Sequence, residues 1–380
     1  MKRMIVIVLL AMATSLGKAS GIEQREFPSH IYDLFPLPEN RLLIAGSKST
    51  GFTQSNITLT LIDYKTNRLI SSVLTDIKVE ETQLVFSGIY FACNSTENRC
   101  HLLISQGRTK YLTTVLTQHT ILATFELPSL KLVSKRIVQS ANSIYLHEEG
   151  SVVKLKSRFY VTTGNNIESF DESLKNRQNL DIKLAEDDRY ISLSRSDPLS
   201  NDVICGTANG KITKFNVDWP VSEVKWKKEV LSEADLKSKA TLIGLSISAN
   251  QKFISTTSTF SLSLLNCTSG KTEFVHKSPE NQHITCTGEI FEVSNCPHIV
   301  YSTNYGIFVI KYGVAKHFLL DTLSKAQSVS AIKNCVNESS IDFFVAIADG
   351  VSERLLHYTK DKSDFPAKIT ESEIILSKLK

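Results

Sequence analysis

Residues 191–217 read ISLSRSDPLSNDVICGTANGKITKFNV, and the reading of this phrase decides the fold. Ile204 leads into Asn209-Gly210, a dipeptide that adopts the positive φ values of a tight hairpin. Beyond it Ile212, Lys214 and Asn216 alternate with Thr213, Phe215 and Val217, the two-residue period of a strand. The same order of strand, Gly/Asn/Ser turn, strand and charged turn returns at 242–275 (LIGLSISANQKFISTTSTFSLSLLNCTSGKTEFV). It returns again at 284–313 (ITCTGEIFEVSNCPHIVYSTNYGIFVIKYG) and at 329–359 (VSAIKNCVNESSIDFFVAIADGVSERLLHYT).

Working outward, seven such units begin near His30, Thr82, Ala141, Asp188, Ala240, His283 and Gln327. Their spacing, mostly about 40–50 residues, is the period of four-stranded propeller blades. Closing such sheets into a ring leaves only short edges for stray pairing. The pattern predicts an all-β fold, a single seven-bladed β-propeller of four antiparallel strands per blade over residues 28–360. Six or eight blades, or a pair of β-sandwiches, are the alternatives. Only Glu229–Lys239 (EVLSEADLKSK) reads as helical, and as a connection. The Trp-Asp ending of standard WD blades is missing; Asp218-Trp219 has the order reversed. Residues 361–380 form a polar C-terminal tail.

The first twenty residues, MKRMIVIVLLAMATSLGKAS, have the build of a signal peptide. Lys2 and Arg3 precede an apolar core from Ile5 to Ala13, and Lys18-Ala19-Ser20 offers small residues for cleavage. The expected destination is the ER lumen or the exterior. Kept uncleaved, the segment is an anchor, the one membrane contact implied. Its removal takes away three basic residues and no acid, lowering the net charge from +4 to +1. A near-neutral chain has no electrostatic basis for binding nucleic acid or an anionic membrane.

Seven cysteines and four N-x-S/T sequons fit an oxidising compartment. Cys93 and Cys100 bracket the turn-rich Asn-Ser-Thr-Glu-Asn-Arg, and Cys286 and Cys296 flank a second hairpin-like stretch, so both pairs are disulfide candidates. The odd total leaves at least one thiol over. The sequons, at Asn56, Asn94, Asn266 and Asn337, are glycosylation candidates on turns or strand edges. No C-x-x-C pair occurs, and Cys296-Pro297-His298 has no partner motif, so neither zinc nor another metal is expected.

Gly46-Ser-Lys-Ser-Thr-Gly51 follows the apolar run Leu42–Ala45 and has the two glycines of a phosphate-binding loop. Phe52 stands where that loop needs lysine, and Asn56–Asp63 alternates like a strand instead of opening a helix. No nucleotide or other cofactor is therefore expected. The wider stretch 41–74 resembles the first blade of the prolactin regulatory element-binding protein family. That family includes ER exchange factors for the small GTPase that starts the coat-protein-II bud. Leu43-Ile44-Ala45-Gly46 matches the strand end, Thr50-Gly51 the Thr-Gly, and Asn56 the Asn that opens the next strand. The resemblance continues in layout through 79–105 and covers about a third of the chain. It implies a propeller on the cytosolic face of the ER membrane and an interaction loop carrying Gly46, Lys48, Gly51 and Asn56. Gly46-Ser47-Lys48-Ser49 stands where the family has a run of glycines.

Catalytic signals are weak, and none is assigned. Asp187-Asp188 and Glu148-Glu149 read as solvated charge at turns. His147-Glu148 lacks the second histidine of a zinc protease, with Ser151 in its place. No G-x-S-x-G elbow is present. His101, His119 and His317 read as structural histidines. The expected function is non-catalytic binding of a protein, or a glycan, in the secretory pathway or outside the cell; the alternative is the exchange factor with its small GTPase partner.

Overall fold

The computed structural model describes residues 28, 30–49, 54–80, 85–94, 98–110, 114–141, 152–163, 166–180, 188, 190–195, 200–218, 221–279, 282–314, 317–349, 353–364 and 370–374. They form seven four-stranded antiparallel sheets, each built from one contiguous stretch of chain. Blade 1 holds β1 (His30–Leu37), β2 (Arg41–Ser49), β3 (Gln54–Asp63) and β4 (Arg68–Glu80); blade 2 holds β5 (Val85–Asn94), β6 (Arg99–Lys110), β7 (Thr114–Glu126) and β8 (Leu132–Ala141). Blade 3 holds β9 (Val152–Leu155), β10 (Arg158–Thr163), β11 (Asn166–Asp171) and β12 (Gln178–Leu180). Blade 4 holds β13 (Tyr190–Arg195), β14 (Asp202–Thr207), β15 (Lys211–Asp218) and β16 (Val221–Glu229). Blade 5 holds β17 (Leu242–Ile247), β18 (Phe253–Ser258), β19 (Ser261–Asn266) and β20 (Thr272–Lys277). Blade 6 holds β21 (Glu289–Val293), β22 (Cys296–Ser302), β23 (Gly306–Lys311) and β24 (His317–Thr322). Blade 7 holds β25 (Ser328–Val336), β26 (Ser340–Ala348), β27 (Glu353–Asp361) and β28 (Thr370–Ile374).

Within each blade the four strands are called a to d, outward from the axis. The seven a strands touch in order around the axis, and β1 packs on β25, so the ring is closed. One α-helix, α1 (Glu233–Lys237), lies between blades 4 and 5 among the described residues. Ser232 starts it with a capping box: its side chain accepts from the Asp235 amide, and the Asp235 carboxylate accepts from the Ser232 amide.

The core lies between blades rather than inside one. Seven apolar clusters each draw residues from two neighbouring blades, one cluster per seam. A fully buried Leu, Ile, Val or Phe contributes about 1.5–3 kcal/mol, so stacking supplies most of the stability. Middle strands are covered on both faces; β26 is buried at eight consecutive positions. The a strands β1, β13, β17 and β25 share a register break near their starts, and outer pairs break register near the c–d turn, as at Lys214/Phe215 and Leu264/Leu265. Such bulges add twist and blunt an exposed outer edge.

Candidate functional site

Because each blade is an antiparallel meander, its b–c turn and the incoming connection from the previous blade lie on one face of the ring. Its a–b and c–d turns lie on the opposite face. The c–d turns repeat one design. The amide of the second turn residue donates to a carbonyl at the a–b turn of the same blade: Tyr64 to Asn40, Leu127 to Asn98, Cys267 to Lys252, Tyr312 to Pro297. That face is locked by backbone bonds.

The b–c face has backbone bonds too, such as Val230 to Gly210, Ser278 to Phe260 and Leu323 to Tyr305, but adds side-chain ties that differ from blade to blade. In blade 4 the incoming Asp188 accepts from Thr207 Oγ1 (2.8 Å) and from the Asn209 amide (3.1 Å), with Lys211 Nζ at 4.0 Å. Asp188 is 1% exposed, so the expectation of a solvated acid is overturned: hydroxyl and amide donors from its own b–c turn replace water. Asp187, Glu148 and Glu149 lie outside the described residues. In blade 5 Thr241 bonds Thr259. In blade 6 the His283 amide donates to Asn304 Oδ1 (3.0 Å) and the Asn304 amide to the His283 carbonyl (3.2 Å). Here aromatic groups gather. The rings of Phe260 and His283 lie 5.1 Å apart, His283 is exposed, and Tyr305, beside Asn304, is 52% exposed.

Near the axis a polar chain crosses four blades. Ser246 Oγ on β17 donates to Glu289 Oε2 on β21 (2.9 Å), Glu289 Oε1 accepts from Lys333 Nζ on β25 (2.5 Å), and Lys333 Nζ lies 4.0 Å from Asp33 Oδ1 on β1. Burial alone would lower the pKa of the Lys333 ammonium, but the carboxylates of Glu289 and Asp33 outweigh it and hold it above its ordinary value. One ammonium between two carboxylates on neighbouring blades joins them electrostatically. No cluster of three or more His, Cys, Asp or Glu suited to a metal occurs among the described residues. Elsewhere, His101 is buried, bonds Thr124 Oγ1 (3.0 Å), and is pushed down to about 3 by burial, then by Lys154 and Arg99. His317 packs edge-on to Phe308 and His276. The side chain of His119 lies outside the described residues.

The residues expected to form a loop are divided. Gly46 lies inside β2, and a Cβ there would stand 2.0 Å from the His30 carbonyl oxygen and 2.4 Å from Pro28 Cβ. Close backbone approach, not a loop conformation, requires this glycine. Lys48 and Asn56 face each other across β2 and β3, and Gly51 lies outside the described residues. Asn56 has a structural task as well. Between the pairs Asn56–Lys78 and Thr58–Leu74 the β4 strand bulges out, and Asn56 Nδ2 donates to the Thr75 carbonyl (2.7 Å) within that bulge.

The expected Cys286–Cys296 disulfide is absent, and both are thiols. Cys286 Sγ lies 3.0 Å from Ser302 Oγ and burial pushes its thiol up to about 11, whereas Cys296 opens β22 opposite Val293. Cys93 and Cys100 are direct register partners across β5 and β6, but the side chain of Cys93, and with it that pairing, lies outside the described residues. Among the sequons, Asn94 is likewise undescribed in its side chain. Asn337 Nδ2 donates to Asp342 Oδ2 (2.5 Å), and Asn266 Oδ1 accepts from the amides of Thr268 and Ser269 (both 3.0 Å). Burial of Asp188, the cramped Gly46 and the axial chain escaped the sequence reading. Only the Thr207/Asn209 donors near Asn209-Gly210 left a trace, as hairpin residues.

No protein-family model matches this sequence, and no curated protein matches it. Solved structures do. Chaetomium thermophilum Raptor is similar with a TM-score of 0.57 and 12% identity over 88% of this chain, which spans 28% of the Raptor chain. The β-propeller domain of Myceliophteria thermophila Cps50 (Swd1) gives 0.56 and 9% over 85% of this chain and 96% of that one. Kluyveromyces lactis Hsv2 gives 0.52 and 10% over 90% and 97%. These are WD40-type propellers, and at such identities the likeness shows the fold alone.

Proposed function

We propose that this chain is a non-catalytic propeller of the secretory pathway or the extracellular space that binds a protein partner on its b–c face. The propeller fold fits a protein–protein interaction scaffold. The observation that carries the choice of face is the Phe260–His283–Tyr305 group over blades 5 and 6. Aromatic side chains on a rigid scaffold are the residues that dominate binding energy when a partner covers them. Glu289, Lys333 and the buried Asp342, by contrast, are spent on joining blades. The N-terminal segment and the sequons support the compartment.

A photo-crosslinking residue at Tyr305 is expected to yield a discrete protein adduct in the native cells. The same group at Lys252, exposed on the opposite face, is expected to yield none. Adducts at Lys252 but not Tyr305 would reverse the choice of face. For the compartment, the propeller should resist protease added to intact microsomes and yield once detergent is present. The exchange-factor reading retains one observation: Lys48 and Asn56 stand opposite each other near the tip of the β2–β3 hairpin, on the same b–c face. Faster nucleotide release from the coat-protein-II GTPase, lost in Lys48→Ala, would establish that reading instead.

A further inference from the structure

We propose that Asn266 is the sequon whose folded surroundings accept an N-linked glycan, and that Asn56 and Asn337 stay bare; this rests on the lumenal reading above. In the transfer, Asn Nδ2 forms a bond to C1 of a lipid-linked oligosaccharide. The bond from C1 to the diphosphate oxygen breaks, the polyprenyl diphosphate leaves, and Nδ2 gives up one proton. The nitrogen that is modified is therefore the atom to examine. At Asn337 it donates to both Asp342 Oδ2 (2.5 Å) and Ser340 Oγ (3.4 Å), so both hydrogens are in use and the better bond feeds a carboxylate with no exposed surface. At Asn56 it holds the β4 bulge through Thr75. At Asn266 the division of labour is reversed. Oδ1 holds the c–d turn by accepting from the Thr268 and Ser269 amides and from Ser269 Oγ (3.1 Å). Nδ2 donates to no group among the described residues, and it is not one of the sealed, unpartnered atoms, so solvent reaches it. Thr268, Ser269 and Lys271 around it are exposed. A glycan there would stand on the a–b face, leaving the b–c face open.

The test uses the full chain with Asn94→Gln in every arm, once with its own N-terminus and once behind an added cleavable secretory leader. Glycopeptides are mapped by mass spectrometry after enzymatic deglycosylation in heavy-oxygen water. In the leader-driven protein, most copies should be labelled at Asn266 and fewer than about a tenth at Asn56 or Asn337. Thr268→Ala, which removes the sequon without touching the Asn266 turn bonds, should abolish the label at Asn266 and leave Tm within a few degrees. A bare Asn266 in the leader-driven protein, secreted or retained, overturns the assignment, as does a folded, secreted population labelled at Asn337 or Asn56 instead. Labelling of Asn266 behind the leader but not behind the native N-terminus upholds the site and overturns the compartment.

Discussion

The seam between blades 7 and 1 and the seam between blades 5 and 6 solve the same packing problem with different chemistry. Blades 5 and 6 are consecutive, and their connection already holds them together. Their contact is apolar, with Leu262 and Leu264 against Ile284, Ile290, Ile299 and Tyr301. Single hydrogen bonds complete it, such as Gly288 N to Thr257 Oγ1 (2.7 Å) and Tyr301 OH with His276 Nε2 (3.2 Å). Blades 7 and 1 join the two ends of the propeller, and no strand is exchanged between them. Side chains alone must offset the entropy of closing that long loop. The seam therefore adds ion pairing across the joint to its apolar cluster. Asp342, its side chain without exposed surface, accepts from Lys65 of blade 1 (2.9 Å), His357 (2.8 Å), Thr359 (2.7 Å) and Asn337. Tyr64 meets Phe344 edge-on at 4.8 Å and His357 at 5.3 Å. Glu353 receives the Ile31 amide and lies 3.3 Å from His30. Closure without covalent continuity is concentrated in two blade-7 carboxylates, Asp342 and Glu353, with Asp342 the more deeply buried.

The largest expected effect tests that concentration. Asp342→Ala leaves the buried His357 and the partly buried Thr359 and Asn337 donors unanswered, and should cost about 2–4 kcal/mol in urea unfolding. A cost below about 1 kcal/mol would show that the apolar cluster closes the ring unaided. Next comes Gly46→Ala, where the new Cβ meets the backbone of the segment that leads into β1. Backbone cannot swing aside as a side chain can, so the expected loss is about 1–3 kcal/mol. An unchanged Tm would mean that Pro28 and His30 are free to shift. Acid titration comes third. Burial alone would raise the Asp342 carboxyl, but bonds from His357, Lys65 and Thr359 outweigh it and bring it from 3.8 down to about 2. A carboxyl depressed in the folded state stabilises above its unfolded pKa and loses that contribution as pH falls through the folded one. The wild type should thus lose about 2 kcal/mol more than Asp342→Asn between pH 4 and pH 2. Parallel acid curves would remove Asp342 from the closure account.

The difference between these seams also explains what the sequence disclosed. Seven blades were legible because hairpins require residues such as Asn209-Gly210, with Gly210 at φ +77°, and these recur at the blade period. The strands between were harder to read, since stacked blades bury both faces and erase the alternation, as in Ser340–Ala348. A finer repeat was present but disguised. Asp63-Tyr-Lys-Thr-Asn-Arg68, Glu126-Leu-Pro-Ser-Leu-Lys131 and Asn266-Cys-Thr-Ser-Gly-Lys271 are one c–d turn, with a hydroxyl fourth, positive φ fifth and a base sixth. Asn, Leu and Gly share that fifth position, so no residue type betrays it. The Lys65–Asp342 contact spans 277 positions, and no local pattern could announce it. The disulfide reading of Cys286 and Cys296 failed for a similar reason: Ser302, from the next strand up the hairpin, already holds the Cys286 thiol. For the candidate site, the sequence supplied Lys48 and Asn56, but the Phe260–His283–Tyr305 group exists only once blades 5 and 6 stack.

The smallest expected effect is at Ser246, and it sharpens the comparison most. Its hydroxyl spans the 5–6 seam twice, donating to Glu289 Oε2 (2.9 Å) and accepting from the Ile290 amide (3.2 Å). Ser246→Ala removes both bonds, yet Glu289 keeps Lys333 on its other oxygen, and the blades remain joined by chain and by apolar packing. The bond to the Glu289 carboxylate counts at the low end of the charged range because Lys333 still holds it, so with the neutral Ile290 bond the loss should be about 1.5 kcal/mol. The double variant with Asp342→Ala should lose the sum of the single costs, because the two sites share no partner. If Ser246→Ala instead approaches the cost of Asp342→Ala, or the two fail to add, then the axial chain through Glu289, Lys333 and Asp33 carries strain from one seam to the other. In that case the ring is held as a single charged belt, and closure is no longer a property of its last seam.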